Sequence, residues 1–349
     1  MKRWLKRIAL ALAIAFLALT IYNASWLAPT PRGYPKLIAH RGVSQQFDHK
    51  GLGRDTCTAT RIEVPVHPYL ENTIGSIALA QSRGGQMIEV DVAPTADGHV
   101  ALFHDWTLDC RTNGKGEVRS ATLAQLKALD AGYGYTADGG KTFPFRGKGV
   151  GLIPSLAEAV KPFPDRALIY NFKSKNPAEA DLLAKELKAA GRDPEKVGDA
   201  FYGHDGPVKR IRQLFPKAWS FSMTEGKACT LGYLKTGWLG IVPEACRGGT
   251  LFVPLNYQWA FAGWPNRTLY RMQKVGARVV IVGPEGEGLP RGLDLPEQVG
   301  QVPASFTGYI WVEDIWTVGP ALHPDLNRRN PVEEAKLAKA LEARRKARE

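Results

Sequence analysis

The chain predicts an α/β protein whose main body is a (β/α)8 TIM-type barrel, and three observations lead there. Nine short apolar runs rich in β-branched or aromatic residues recur between residues 36 and 314. Helix-like segments at 72–83, 121–130, 177–190, 206–214 and 266–275 separate several of them. No Gly-x-Gly-x-x-Gly turn follows any early run, which disfavours a doubly wound nucleotide-binding sheet. Strand–helix alternation on this scale makes a parallel sheet, and eight or nine strands favour its closure into a barrel. The runs are KLIAH, MIEVDV, HVALFH, RALIYNF, DAFYG, AWSFSM, TLFVPL, ARVVIVG and TGYIWVED. The late stretch GPEGEG (283–288) lacks a phosphate-binding Lys-Ser/Thr and reads as a plain loop.

The N-terminal element comes first. Lys2, Arg3, Lys6 and Arg7 precede an apolar run from Ile8 to Tyr22 that continues more loosely to Ala28. As a helix, residues 8–28 rise about 31 Å, close to a bilayer core of ~30 Å. Cations on the N-terminal side hold that end in the cytoplasm and send the rest to the extracytoplasmic, periplasmic side. Residues 1–28 are thus expected to form a basic start and single-pass membrane anchor. Secretion after signal cleavage is the alternative, but Tyr22 would occupy position −3 of a cut after Ala24, where small residues are preferred.

Residues 29–35, with three prolines and a glycine, form a linker, and residues 36–325 the barrel. Within it, 43–70 is a long irregular insertion after the first strand, placed where barrel loops line the functional face. The tail, 326–349, reads as a charged helix: Pro331 near its start, Glu333 and Glu334 early, Arg344, Arg345, Lys346 and Arg348 late. It has no strong apolar stripe, so an exposed or partner-facing appendage is expected. The formal charge of +12 is concentrated at the ends: residues 1–7 and 326–349 carry +4 each. That distribution argues against a nucleic-acid-binding face. Cys57, Cys110, Cys229 and Cys246 permit disulfides in an exported chain; the local pair Cys229–Cys246 is the natural one, leaving Cys57 with Cys110, and other pairings stay open.

Chemistry gathers at strand ends. KLIAH ends at His40, followed by Arg41; ENT (71–73) opens a helical stretch with Glu71; MIEVDV carries Glu89 and Asp91 two apart, on one strand face. HVALFH ends at His104, and RALIYNF is followed by Lys173. Two carboxylates held side by side repel unless a cation, a shared proton or a basic side chain lies between them. Singly, each feature is ordinary. Together they predict two imidazoles, two carboxylates, an arginine and a lysine at the carboxyl ends of four consecutive strands.

These motifs, IAHRG, the stretch ENTIGSIALAQSRGGQMIEVDVAPTADGHVALFHDWTLDCRTNGKGEV and the Lys173 strand, resemble the glycerophosphodiester phosphodiesterases over residues 36–130, and more thinly from 150 to 315. The resemblance implies a barrel that hydrolyses a glycerophosphodiester, such as a deacylated phospholipid, to glycerol phosphate and an alcohol, with a divalent cation, Ca²⁺ or Mg²⁺. The residues suit that chemistry. His40 and His104 divide the acid and base roles, in an order the sequence leaves open. Glu89 and Asp91 offer hard oxygen ligands. Arg41 and Lys173 grip phosphate oxygens. Glu71 supports Arg41 or a metal-bound water, or serves only the helix dipole.

Departures from the family pattern weaken the substrate assignment most. Asn171 stands where the family places a glutamate as third metal ligand, so one anionic ligand is lost. Cys110 replaces the arginine usual after Leu-Asp; paired with Cys57, it would pin the insertion beside Phe103-His104-Asp105. VVIVGP replaces a Trp-Thr pattern, and YIWVED stands in for the last strand, leaving Glu313 or Asp314 near the site. Two alternatives follow. One is phospholipase-D-like cleavage of lysophospholipid or sphingolipid diesters, with Phe47, Tyr257, Trp259, Phe261 and Trp264 receiving an acyl chain. The other is a non-catalytic binding module, favoured by Asn171 alone.

Overall fold

The computed structural model describes residues 2–53, 56–286 and 291–348. Its strands are β1 (Lys36–Ala39), β2 (Gly85–Pro94), β3 (Val100–Leu102), β4 (Ala167–Phe172), β5 (Ala200–Gly203), β6 (Trp219–Ser222), β7 (Thr250–Pro254), β8 (Arg278–Val282) and β9 (Tyr309–Val312). Eight of them form a parallel sheet in the order β6-β5-β4-β2-β1-β9-β8-β7. Across the β6/β7 seam the Trp219 indole N–H donates to Thr250 Oγ1 at 3.0 Å, so a side chain bridges the two end strands. The result is a nearly closed barrel.

One strand expectation is corrected. β3 is not a barrel strand but pairs antiparallel with β2, Val92 opposite Leu102, in a hairpin turned at Gly98. His104 therefore arrives at the functional face on a folded-back spur beside β2. A two-residue hairpin suffices to reverse an antiparallel pair, whereas a parallel neighbour needs a crossover. The spur also supports a second apolar cluster, including Ala59, Ile62, Leu70, Phe103, Leu108 and Tyr135, beneath the 43–70 insertion.

Helices cover the barrel's outside. The first, Ile74–Ser82, is capped by Thr73, whose side chain accepts from Ser76 N–H while Ser76 Oγ accepts from Thr73 N–H. Glu71 lies two residues before that cap, so it stands ahead of the helix instead of opening it. Inside the barrel, Ile38, Met87, Ile169, Phe221 and Val280 pack at its base, leaving polar layers above. The two disulfides are Cys57–Cys110 and Cys229–Cys246.

The ends differ from expectation in opposite ways. The apolar N-terminal helix, Lys2–Asn23, stops five residues before Ala28, and its span Arg3–Asn23 is long and apolar enough to cross a membrane. The tail is no exposed appendage. Its helix Pro331–Lys346 buries Leu337 and Leu341 in the main core, and Arg344 inserts between Glu63 of the insertion and Asp314 after β9. Two well-placed leucines, worth about 1.5–3 kcal/mol each, need no long apolar stripe, which is why periodicity failed to reveal the docking. Arg345 pairs with Glu297 and Arg348 with Asp294, so much of the tail's positive charge is neutralised against the barrel. Of GPEGEG, residues 287 and 288 lie outside the described residues; the preceding part is loop.

Candidate active site

The turn after β1 builds the site. Arg41 and Gly42 both adopt left-handed backbone, with φ of 57° and 74°. A Cβ on Gly42 would sit 2.6 Å from Ser76 Oγ, so glycine is required there. Arg41 has no such freedom, and its conformation costs about 1–3 kcal/mol. In return its backbone N–H points into the barrel and donates to Glu89 Oε2 at 2.8 Å. Asn72, also left-handed at φ 57°, donates its backbone N–H to Arg41 O, so two strained turns support each other.

Beneath this turn lie Glu89 and Asp91, both without exposed surface. Every carboxylate oxygen carries a donor. Tyr202 Oη donates to Glu89 Oε1 at 2.6 Å; Asn171 Nδ2 donates to Asp91 Oδ1 at 2.9 Å and Asn72 Nδ2 to Asp91 Oδ2 at 3.0 Å. The Lys173 ammonium lies 3.5 Å from Asp91 Oδ1 and Arg41 Nε 3.4 Å from Oδ2. Strand register creates this layer: Asp91 is opposite Asn171, and Asn171 opposite Tyr202. Burial, then the neighbouring Asp91 charge, raises the Glu89 carboxyl. Burial acts the same way on Asp91, but Lys173 and Arg41 outweigh it and hold Asp91 far below the usual carboxylate range.

Each histidine is held at Nδ1 by its own carboxylate. His40 Nδ1–H donates to Glu313 Oε1 at 2.7 Å, and His104 Nδ1–H to Asp105 Oδ1 at 2.6 Å. This tautomer leaves Nε2 for chemistry. Their electrostatic settings are opposite. Burial works against charge on His40, but Glu313 and Glu89 prevail over it and over Arg41, so its pKa is raised. Burial also works against charge on His104, and Arg41 and Lys173 add to it, pushing the group well below its ordinary value despite Asp91.

A further network ties the rim together. Arg41 Nη1 donates to Glu71 Oε1 at 3.1 Å, and Arg111 Nη1 lies 3.0 Å from the same oxygen. Arg111 also donates to Tyr135 Oη and, on the insertion, to Thr58 Oγ1, each at 2.7 Å, while its Nε lies 2.9 Å from Asp105 Oδ2. Glu71 therefore bonds Arg41, one of the alternatives its sequence position left open. The Cys57–Cys110 bridge joins the same two segments next door.

Above lies a cavity of about 770 Å³. His40, Arg41, His104, Asn171, Lys173 and Tyr202 line it, together with Phe47, His49, Leu52 and Thr58 of the insertion and Met223 beyond β6. Of the five aromatics expected to receive an acyl chain, only Phe47 is in this lining; Phe261 is buried in the core and Trp259 is fully outside at 80% exposure.

The three residues expected to ligate a metal do meet, but as arranged they do not fit a divalent ion. Glu89 and Asp91 lie below the cavity floor with all four oxygens engaged, and Asn171 turns its amide N–H₂ toward Asp91. Among the described residues, no group of three or more His, Cys, Asp and Glu side chains could hold a metal ion. An ion would need the Asn171 amide reversed and the Lys173 ammonium moved aside.

Sequence reasoning missed Asn72, Asp105, Arg111, Tyr135 and Tyr202, and named Glu313 only as a neighbour. Asp105 was legible beside His104. Asn72 was legible beside Glu71 in ENT; Arg111, Tyr135 and Tyr202 are brought in by strand register and by the segments after the spur, for which no local signal exists.

Residues 40–198 match the Glycerophosphoryl diester phosphodiesterase family. A glycerophosphodiester phosphodiesterase of Caldanaerobacter subterraneus is 37% identical over 42% of this chain and 58% of its own length. One of Bacillus subtilis is 34% identical over 42% and 48%. The chain thus spans about half the length of the curated relatives it matches. Among solved structures, a glycerophosphodiester phosphodiesterase of Agrobacterium tumefaciens superposes with TM-score 0.55 at 18% identity, over 83% of this chain and 99% of the other. An Oleispira antarctica phosphodiesterase in complex with the product sn-glycerol-3-phosphate gives TM-score 0.53 at 18% identity, over 83% and 97%. These two likenesses establish the barrel fold.

Proposed function

We propose that the chain, whose residues 40–198 match the Glycerophosphoryl diester phosphodiesterase family, hydrolyses glycerophosphodiesters to glycerol phosphate and an alcohol. The observation that carries this reading is the pair of histidines on one cavity, each fixed at Nδ1 by a carboxylate and biased to opposite charge states. His104, kept neutral, presents an unprotonated Nε2 and takes the proton from the attacking hydroxyl. His40, kept protonated, gives its proton to the departing alkoxide as the phosphorus–oxygen bond breaks. The sequence left these roles open; the charges around the rings favour this order. Arg41 and Lys173 face the phosphate from the cavity floor and offset its charge.

Ca²⁺ or Mg²⁺ finds no open coordination in this arrangement. The proton transfers are therefore assigned only to groups of this chain. The anchored, extracytoplasmic placement rests on the apolar span Arg3–Asn23 with Lys and Arg before it, and on two disulfides. A substrate with an acyl portion is the second reading; the apolar rim of Phe47, Leu52 and Met223 favours it.

The full chain in detergent is expected to release glycerol phosphate from glycerophosphocholine, followed by a coupled assay. His40→Ala and His104→Ala should each lower kcat about 10²–10⁴-fold with the fold unchanged by circular dichroism. Full activity in either variant sinks the assignment. Comparing diacyl, monoacyl and deacylated substrates separates the two readings.

A further inference from the structure

The barrel carries an apolar stripe that the catalytic reading does not use. It runs along the outer face of the helix Met223–Thr236, whose inner face buries Gly226, Cys229 and Tyr233. Met223, Leu231, Leu234 and Trp238 are exposed at steps of eight, three and four residues, one side of a helix continued by the turn Gly237–Leu239. Leu239 and Ile241 extend the patch, at 45% and 55% exposure; exposed Lys227 falls on the same side of the helix, between Met223 and Leu231, and Lys235 flanks it. The Cys229–Cys246 disulfide holds the helix from behind.

The lower end of this stripe is where the apolar N-terminal helix meets the barrel. Asn23 Nδ2 donates to Trp238 O at 2.7 Å, and Arg271 Nη1 donates both to Asn23 Oδ1 and to Gly237 O, each at 2.9 Å. The Tyr22 ring lies 5.1 Å from the Arg271 guanidinium, and Tyr22 Oη is so close to Gly240 that a Cβ there would sit 2.3 Å from it. The helix end is therefore docked on the turn, not tethered by slack chain. If residues 3–23 cross a bilayer, Asn23 lies at its surface, and Trp238, Leu239 and Ile241 lie at the same depth. Tryptophan and aliphatic side chains flanked by lysine suit that boundary.

We propose that the outer stripe of helix 223–236 and the turn 237–241 rests on the bilayer that receives residues 3–23. Met223, at the far end of the stripe about 22 Å along the helix, lines the cavity mouth. Lying along the surface, the helix brings that mouth to the headgroup layer, where a diester still bearing an acyl chain is presented. This rests on the anchor reading of the N-terminal helix and goes beyond it.

The test uses the full chain in nanodiscs of phosphatidylcholine with one-fifth phosphatidylglycerol and a diazirine-bearing acyl lipid, with adducts mapped by mass spectrometry after illumination. Adducts are expected on residues 3–23 and on 231–241. Adducts on 3–23 alone leave the anchor standing and overturn the resting face. Absence from both overturns face and anchor together. Adducts on 231–241 in a chain processed after residue 24 support the face and refute the anchor. The triple variant L234S/W238S/I241S should cut labelling of 231–241 at least tenfold, leaving residues 3–23 and glycerophosphocholine hydrolysis unchanged. If the variant instead converts a dimer to a monomer in detergent, with lipid labelling unaltered, a second copy covers this face and the proposal falls.

Discussion

Glu313 decides how His40 titrates. Burial alone would lower this imidazole, and the carboxylate 2.7 Å from Nδ1 reverses the sign. A raised pKa keeps His40 protonated, and thus competent as an acid, until the pH climbs through that raised value. Glu313→Gln removes the favourable charge, so the alkaline limb of kcat/KM should move to lower pH. The acidic limb, set by His104 with its lowered pKa, should stay put; a profile with both limbs unmoved would count against the acid role of His40. Asn171 is the second residue with a sharp consequence. Its amide N–H₂ caps Asp91, where a carboxylate would repel it and call for a cation. Asn171→Glu should therefore create Ca²⁺ affinity, with titration calorimetry showing at least tenfold tighter binding than in the unaltered chain. Equal, tight binding in both would show that the observed arrangement opens readily for the ion.

At the level of elements, the tail helix and the insertion hold the site from outside. Arg344 is buried, bonds Glu63 at 2.9–3.0 Å, and reaches Asp314 at 2.9 Å, one residue from Glu313. Arg344→Met leaves buried Asp314, and Glu63 beside it, without their guanidinium partner, which should cost about 3 kcal/mol in urea unfolding. A chain ended after residue 325 should unfold at still lower urea, since it also loses Leu337 and Leu341; unchanged midpoints would return the tail to the status of an appendage. The Cys57–Cys110 bridge closes 53 residues between insertion and spur. Replacing both cysteines by serine should cost about 4 kcal/mol on the chain-entropy account, read as a lower Tm.

For the whole molecule, the barrel is a scaffold whose polar upper layers are filled by one ionic network instead of apolar side chains. Five acids (Glu71, Glu89, Asp91, Asp105 and Glu313) meet Arg41, Arg111, Lys173 and His40 there. Such a layer is costly to desolvate and is stable only when complete, which is why a one-residue slip between β2, β4 and β5 would undo the site. Topology belongs to this scale too. In spheroplasts, added protease should digest the barrel while an epitope placed before residue 3 stays protected; the reverse pattern would overturn the extracytoplasmic orientation.

The chain's own pattern determined the nine strand positions, the barrel class, the presence of an apolar N-terminal helix and the residues His40, Arg41, Glu89 and Asp91, because alternation, run length and i,i+2 spacing are local properties. Tertiary structure alone decided that His104 arrives on an antiparallel spur, that Glu313 and Asp105 orient the two rings, and that Arg344 anchors the tail. Those contacts join residues from different strands and loops, and only sheet register and packing choose the partners. The charge state of each imidazole follows the same rule, since it depends on which carboxylates and guanidinium groups the closed barrel places around it.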